Sequence, residues 1–292
     1  VLTRRDNLYK QVRNRYYDLP FTSALIDDCI EHGLSYLQGG MRYPQLSWGV
    51  SDRGNQNLAD SLVAIKKLVF EDKTIEMGEL LGALKANFEG KEKLRQMLLA
   101  APKYGNDDDY ADQVFDDVSL WLQRRWGQEK HVLGHPVRLG RGGSTQHYAM
   151  GKMIGALPDG RKAYQPLADA SMSPMRGADV KGPTAAIVSA SRVNHTEVSC
   201  STLFNLKFNP AALNTRENKQ KFISLIKTYF ARGGYHIQFN LIRRETLLEA
   251  KKHPEQYRDL VVRVAGYSAY FVELVPEVQD EIIGRTEHEM VS

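Results

Sequence analysis

A chain of 292 residues allows one large or two ordinary domains, and 42% hydrophobic with 25% charged residues is a globular balance, not a disordered or fibrous one. The net charge of +4, with no dense run of Lys and Arg, gives nucleic-acid binding no support. No apolar run is long enough to span a bilayer, no signal peptide opens the chain, and Cys29 and Cys200 form neither a disulfide framework nor a zinc-ligand spacing.

A reducing cytoplasm is therefore the expected setting, with no membrane partner. From Val1 to about Asp72 the pattern is mainly helical. Ala24, Ile26, Cys29 and Ile30 predict a helix ending near Gly33, with Cys29 as a packed thiol, because no cation stands nearby to lower its pKa. Gly54 to Asn57 read as a polar loop. Leu58, Leu62, Ile65, Leu68 and Val69 then form a helical stripe opposed by Asp60, Lys66 and Lys67. A further helix is expected from Met77 to Phe88. Ala101 to Tyr110 is a turn running into a helix start. Its three acids, Asp107, Asp108 and Asp109, lack the alternation, central Gly and distal Glu of a calcium loop and suit capping better. Val114, Val118 and Leu122 carry that helix to about Trp126.

Between His131 and Ser173 the chain is rich in Gly and Pro, with no long helix. Gly140-Arg141-Gly142-Gly143-Ser144 lacks the Gly-Lys-Ser/Thr ending of a phosphate loop. Pro158-Asp159-Gly160 is a turn. Ala185 to Ser189 and Leu203 to Phe208 read as buried strands, with Cys200 as a structural thiol before the second. Asn218 to Phe230 is a helix stopped by Gly233-Gly234. Tyr235 to Asn240 alternates as a strand, on which His236 is either catalytic or a hydrogen-bonded structural residue. Thr246 to Lys252 is helical. Asp259 to Val262 reads as a short buried strand, and Val278, Ile282 and Ile283 mark an amphipathic helix with Pro276 in its first turn. Gly266 thus falls in a tight loop between strand and helix, flanked by Tyr267, Tyr270 and Phe271. Alternating strands and helices argue for an α/β fold with parallel strands.

Arg263-Val264-Ala265-Gly266-Tyr267, followed by Phe271, Leu274, Gln279, Ile282-Ile283 and Arg285-Thr286, closely resembles the C-terminal signature of glycyl radical enzymes, the pyruvate formate-lyase-like family of dehydratases, lyases and decarboxylases. Ala59-Asp60-Ser61-Leu62, Ala64 to Phe70, Ala101 to Tyr110, Gly155 to Ala163, Pro166-Leu167-Ala168-Asp169 and Gly182-Pro183-Thr184-Ala185 extend the resemblance over most of the chain. It implies the second half of a ten-stranded α/β barrel of the pyruvate formate-lyase type, with a C-terminal glycyl radical loop. Residues 1–165 would belong to the barrel domain and residues 166–292 to the glycine radical domain. The chain opens on Val1, not methionine, and the resemblance favours a piece of something longer over a processed product.

In that family the glycine matching Gly266 carries a backbone radical. Only glycine serves, because delocalisation between the flanking amide nitrogen and carbonyl needs a nearly planar α-carbon that a Cβ would crowd. A dry surround is also needed, and the rings near Gly266 are suitable material. The resemblance further implies a separate radical S-adenosylmethionine activating enzyme with a 4Fe-4S cluster, no metal bound by this chain, a small-molecule substrate, a homo-oligomer when complete, and a mobile C-terminal segment. The family's thiyl cysteine sits in a Gly-Cys-Val-Glu-like segment. Neither Asp28-Cys29-Ile30-Glu31 nor Ser199-Cys200-Ser201 matches, so that cysteine is expected on an N-terminal part, and this chain alone should not turn over substrate. Arg138, Arg141 and His147 lie in a region that lines the pocket in relatives. Paired arginines there could grip a carboxylate or sulfonate, or simply form surface ion pairs. The alternative to an enzyme portion is a spare subunit that restores the radical domain of an oxygen-cleaved partner.

Overall fold

A computed structural model describes residues 2–43, 50–141, 145–198 and 202–288. Cys200 and the stretch Gly142 to Ser144 lie outside the described residues. The chain divides into two compact units that interleave in sequence: Val1–Asp52 with Leu120–Gly140, and Arg53–Ser119 with Arg141–Ser292.

In the first unit, helix α1 (Leu2–Tyr16) buries no residue fully. The single helix expected around Cys29 is split into α2 (Pro20–Ala24) and α3 (Cys29–His32). The break falls at Asp28, whose φ of +73° is left-handed and cannot continue a right-handed helix. Cys29 is buried, as expected of a packed thiol. Strands β1 (Val50–Ser51) and β2 (Leu139–Gly140) pair in parallel.

The second unit opens with α4 (Asn55–Ile65). Asn55 to Asn57, expected in a loop, are its buried first turn, and Gln56 and Asn57 have partners deep in the fold. Gln56 donates to the carbonyl of Ser173 and Asn57 to the Asp159 carboxylate. The apolar stripe is also rotated. Ala59, Val63 and Ala64 face inward with Asp60, while Leu58 and Leu62 are exposed. Small residues permit close packing around Asp60, and a stripe counted on large apolar residues misses that face. Helices α5 (Met77–Lys85) and α6 (Glu92–Ala100) close a core of Leu80, Phe88, Leu94 and Leu98 with Ala64 and Leu68. Helix α7 (Asp109–Gly127) starts after the Asp-rich turn, where Asp108 accepts the Tyr110 amide. The short α8 (Gln146–Gly151) lies in the Gly/Pro-rich stretch.

The segment expected as a strand at Ala185 to Ser189 is instead helix α9 (Gly182–Arg192), with Pro183 in its first turn. A short apolar run buried nearly all round reads alike in either period, and Ala185, Ala186 and Ala190 favour the helix. Strand β3 (Asn205–Phe208) follows, then α10 (Arg216–Ala231), β4 (Gln238–Asn240) and α11 (Arg244–Lys252). Next come β5 (Val261–Arg263), β6 (Ser268–Tyr270), α12 (Pro276–Ile283) and β7 (Glu287–His288). β3 is central to a parallel sheet ordered β4-β3-β7 and is buried along its whole length. Helix α10 covers that sheet, its Phe222 ring lying 4.6 Å from Phe239 and 5.2 Å from Phe208. A second core of Leu247, Ala250, Val262, Phe271, Val278 and Ile282 locks β5 against α11 and α12.

Candidate functional site

Gly266 does not lie between a buried strand and a helix, as the sequence suggested. It sits at the tip of an antiparallel hairpin in which Val261 faces Tyr270, Val262 faces Ala269 and Arg263 faces Ser268. β5 is half-buried, since Val262 points into the core and Val261 into solvent. The Val264 amide donates to the Tyr267 carbonyl at 2.9 Å and closes a tight turn over Ala265 and Gly266. Gly266 has φ +81°, a conformation L side chains rarely adopt, and an added Cβ would stand 3.3 Å from Leu203 Cδ1.

The expected dry surround is not completed within this chain. Gly266 is exposed, Tyr267 and Tyr270 are 38% and 46% exposed, and only Phe271 of the three rings is buried. Tyr270 stands opposite Val261, and both are exposed on the outer face of the hairpin.

The last two residues before the turn are fastened by side chains from elsewhere. Asn240 of β4 accepts the Arg263 amide at 2.8 Å and donates to the Arg263 carbonyl at 2.7 Å. Arg285 donates to the carbonyls of Val264 at 2.8 Å and Arg263 at 3.3 Å, and Asn205 to that of Val264 at 3.3 Å. The Arg263 guanidinium itself donates to Gln238 and Ser268.

Arg285 is set in a buried ionic cluster. Glu281 receives its fork at 3.1 and 2.9 Å, Asp169 lies 3.6 Å away, and His147 Nε2 is 3.4 Å from Glu281. Burial alone would raise the Glu281 carboxyl, but the charge of Arg285 and the hydrogen bond from His147 outweigh it and hold Glu281 well below the carboxylate range. Burial opposes the charge on Arg285 too, and the two carboxylates overcome it. Asp169 is pushed up, chiefly by burial, with Arg285 opposing. In the sequence Arg285 and Asp169 stand only as parts of longer motifs, and Glu281 follows Asp280 on an amphipathic helix. The signal available was the i, i+4 spacing of Glu281 and Arg285 beside buried Ile282 and Ile283.

Of the residues named for substrate contact, Arg138 is exposed in the first unit. Arg141 is buried in the second and donates to the Ser119 carbonyl at 3.1 Å. His147 is buried in the cluster behind the hairpin. His236 is half-buried just before β4, and its pKa is lowered by burial and by the charge of Arg263.

A separate cavity of about 710 Å³ in the second unit is lined by Asp60, Lys103, Asp159, Arg161 and Arg176 among others. There Asp60 accepts the Tyr104 amide at 2.9 Å, and burial pushes its carboxyl up to about 7 while lowering Lys103. No group of three or more His, Cys, Asp and Glu able to hold a metal ion occurs among the described residues. No helix among them is long and apolar enough to cross a membrane.

Two family models match this chain: pyruvate formate lyase-like over residues 1–151, and glycine radical over residues 168–272, which includes the Gly266 hairpin. The chain belongs to the pyruvate formate-lyase-like glycyl radical enzymes. It is 41% identical to isethionate sulfite-lyase of Nitratidesulfovibrio vulgaris over 98% of this chain and 35% of that protein. It is 40% identical to trans-4-hydroxy-L-proline dehydratase of Clostridioides difficile over 94% of this chain and 34% of that protein. Its fold matches the glycerol-bound B12-independent glycerol dehydratase of Clostridium butyricum with TM-score 0.92 at 42% identity, covering 97% of this chain and 36% of that one. The chain thus spans about a third of the length of the glycyl radical enzymes it matches, as a C-terminal portion of the pyruvate formate-lyase type of barrel.

Proposed function

We propose that this chain is the C-terminal catalytic portion of an anaerobic, cytoplasmic glycyl radical enzyme that stores a backbone radical on Gly266. A glycine at φ +81°, at the tip of a tethered hairpin inside the segment matched by the glycine radical model, carries this reading. A separate radical S-adenosylmethionine enzyme would remove one hydrogen atom from the Gly266 α-carbon. A cysteine thiol outside this chain would then return a hydrogen atom to that carbon, and its sulfur would open radical elimination or cleavage of a small substrate. The exposed tip suits both encounters, since the group that takes the hydrogen atom and the thiol that returns one must each reach the α-carbon.

The relatives include a sulfite-lyase, dehydratases and a decarboxylase, so the bond broken here is left at the level of a small molecule losing a leaving group. Arg138, Arg141 and His147 stay proposed substrate-region residues, and a division near residue 165 into barrel and radical portions stays part of the reading. Activation of the complete protein should give an electron-spin doublet. Its absence from wild type, or its survival in Gly266→Ala, would remove the assignment.

A further inference from the structure

The hairpin carrying Gly266 meets the neighbouring sheet through side chains. The Asn240 amide takes both backbone groups of Arg263, the place an adjoining strand would hold. The next carbonyl, that of Val264, receives Arg285 at 2.8 Å and Asn205 at 3.3 Å. In a β-turn the first residue's carbonyl commonly accepts from the amide of the fourth. Here it is turned to a guanidinium instead.

That guanidinium has little freedom. Glu281 holds one edge by two hydrogen bonds, Asp169 stands 3.6 Å off, and Arg285 is buried. A planar fork pinned by carboxylates on one side presents its remaining donors in fixed directions on the other. The atoms it fixes are the carbonyls two and three residues before Gly266. Their peptide planes set where the turn begins, and hence the dihedrals at the glycine.

We propose that Arg285 is a positioning residue for the Gly266 turn, with Glu281 and Asp169 orienting it. The role rests on the reading that Gly266 stores the radical. Lysine cannot replace it, because an ammonium offers no planar pair of donors to two successive carbonyls while also meeting Glu281.

The test has two arms. In this chain, hydrogen exchange across residues 264–268 should speed up by about tenfold in Arg285→Lys. Exchange in α4 to α6 should stay unchanged, and Glu281→Gln should shift the turn in the same direction if the first variant folds poorly. In the activated complete protein, Arg285→Lys should lower the radical yield and alter the doublet splitting, because the remaining α-hydrogen couples through the local geometry. Unchanged turn exchange in both variants, or an unchanged yield and splitting in folded Arg285→Lys, overturns the positioning role. A wild type without any doublet defeats the radical reading alone, and the exchange arm still decides whether Arg285 fixes the turn.

Discussion

Gly266 and Asp60 show how a single residue's surroundings decide what it can do. At Gly266, φ +81° and the nearness of Leu203 make any Cβ strained. Gly266→Ala should cost about 1–2 kcal/mol, measurable as a lowered denaturation midpoint. A variant as stable as wild type would show that the turn relaxes to negative φ. Asp60 carries the opposite kind of cost. Its carboxyl is pushed up to about 7 by burial, whereas an unfolded aspartate titrates near 4. Folding therefore takes up a proton between about pH 4 and 7, so this residue's contribution to stability falls as pH rises through that window and stays low above it. Asp60→Asn should gain on wild type from pH 5 to pH 8, by roughly 2–4 kcal/mol at the upper end. A gain that does not change with pH would contradict the assignment. Gly266 was legible in the sequence because a long motif surrounds it. Asp60 was not, because an acid between Ala59 and Ser61 looks like a solvated helix face until Tyr104 is seen to donate to it.

At the scale of elements, period alone could place α10 and α11 but could not choose strand or helix for Ala185 to Ser189. It also could not show that β5 and β6 pair, because three-residue strands carry too little alternation. What joins that hairpin to the sheet is a set of amides and one guanidinium, legible only as isolated polar residues. Asn240→Leu should leave the Arg263 amide without its partner and its carbonyl with Arg285 alone, and cost about 1–3 kcal/mol. Limited trypsin cleavage at Arg263 should rise with it. Cleavage no faster than wild type, at equal stability, would mean that the core of Val262, Phe271 and Ile282 holds the hairpin by itself.

For the whole molecule, family and barrel type were readable because motifs recur along the chain. Leu8, Tyr9, Val12 and Tyr16 of α1, and Leu58 and Leu62 of α4, are exposed, and apolar faces of this kind mark contact surfaces. On the reading proposed, the longer protein covers them. The chain alone should bind an apolar fluorescent dye more strongly, per residue, than the complete enzyme, and equal binding would leave these faces open in both. The most direct measurement is electron-spin resonance of the activated complete protein, made from cells supplied with glycine deuterated at its α-carbon. The account predicts a doublet in the unlabelled protein, its collapse to a single line on deuteration, and no signal in Gly266→Ala. A splitting indifferent to deuteration would place the unpaired electron elsewhere and contradict the account.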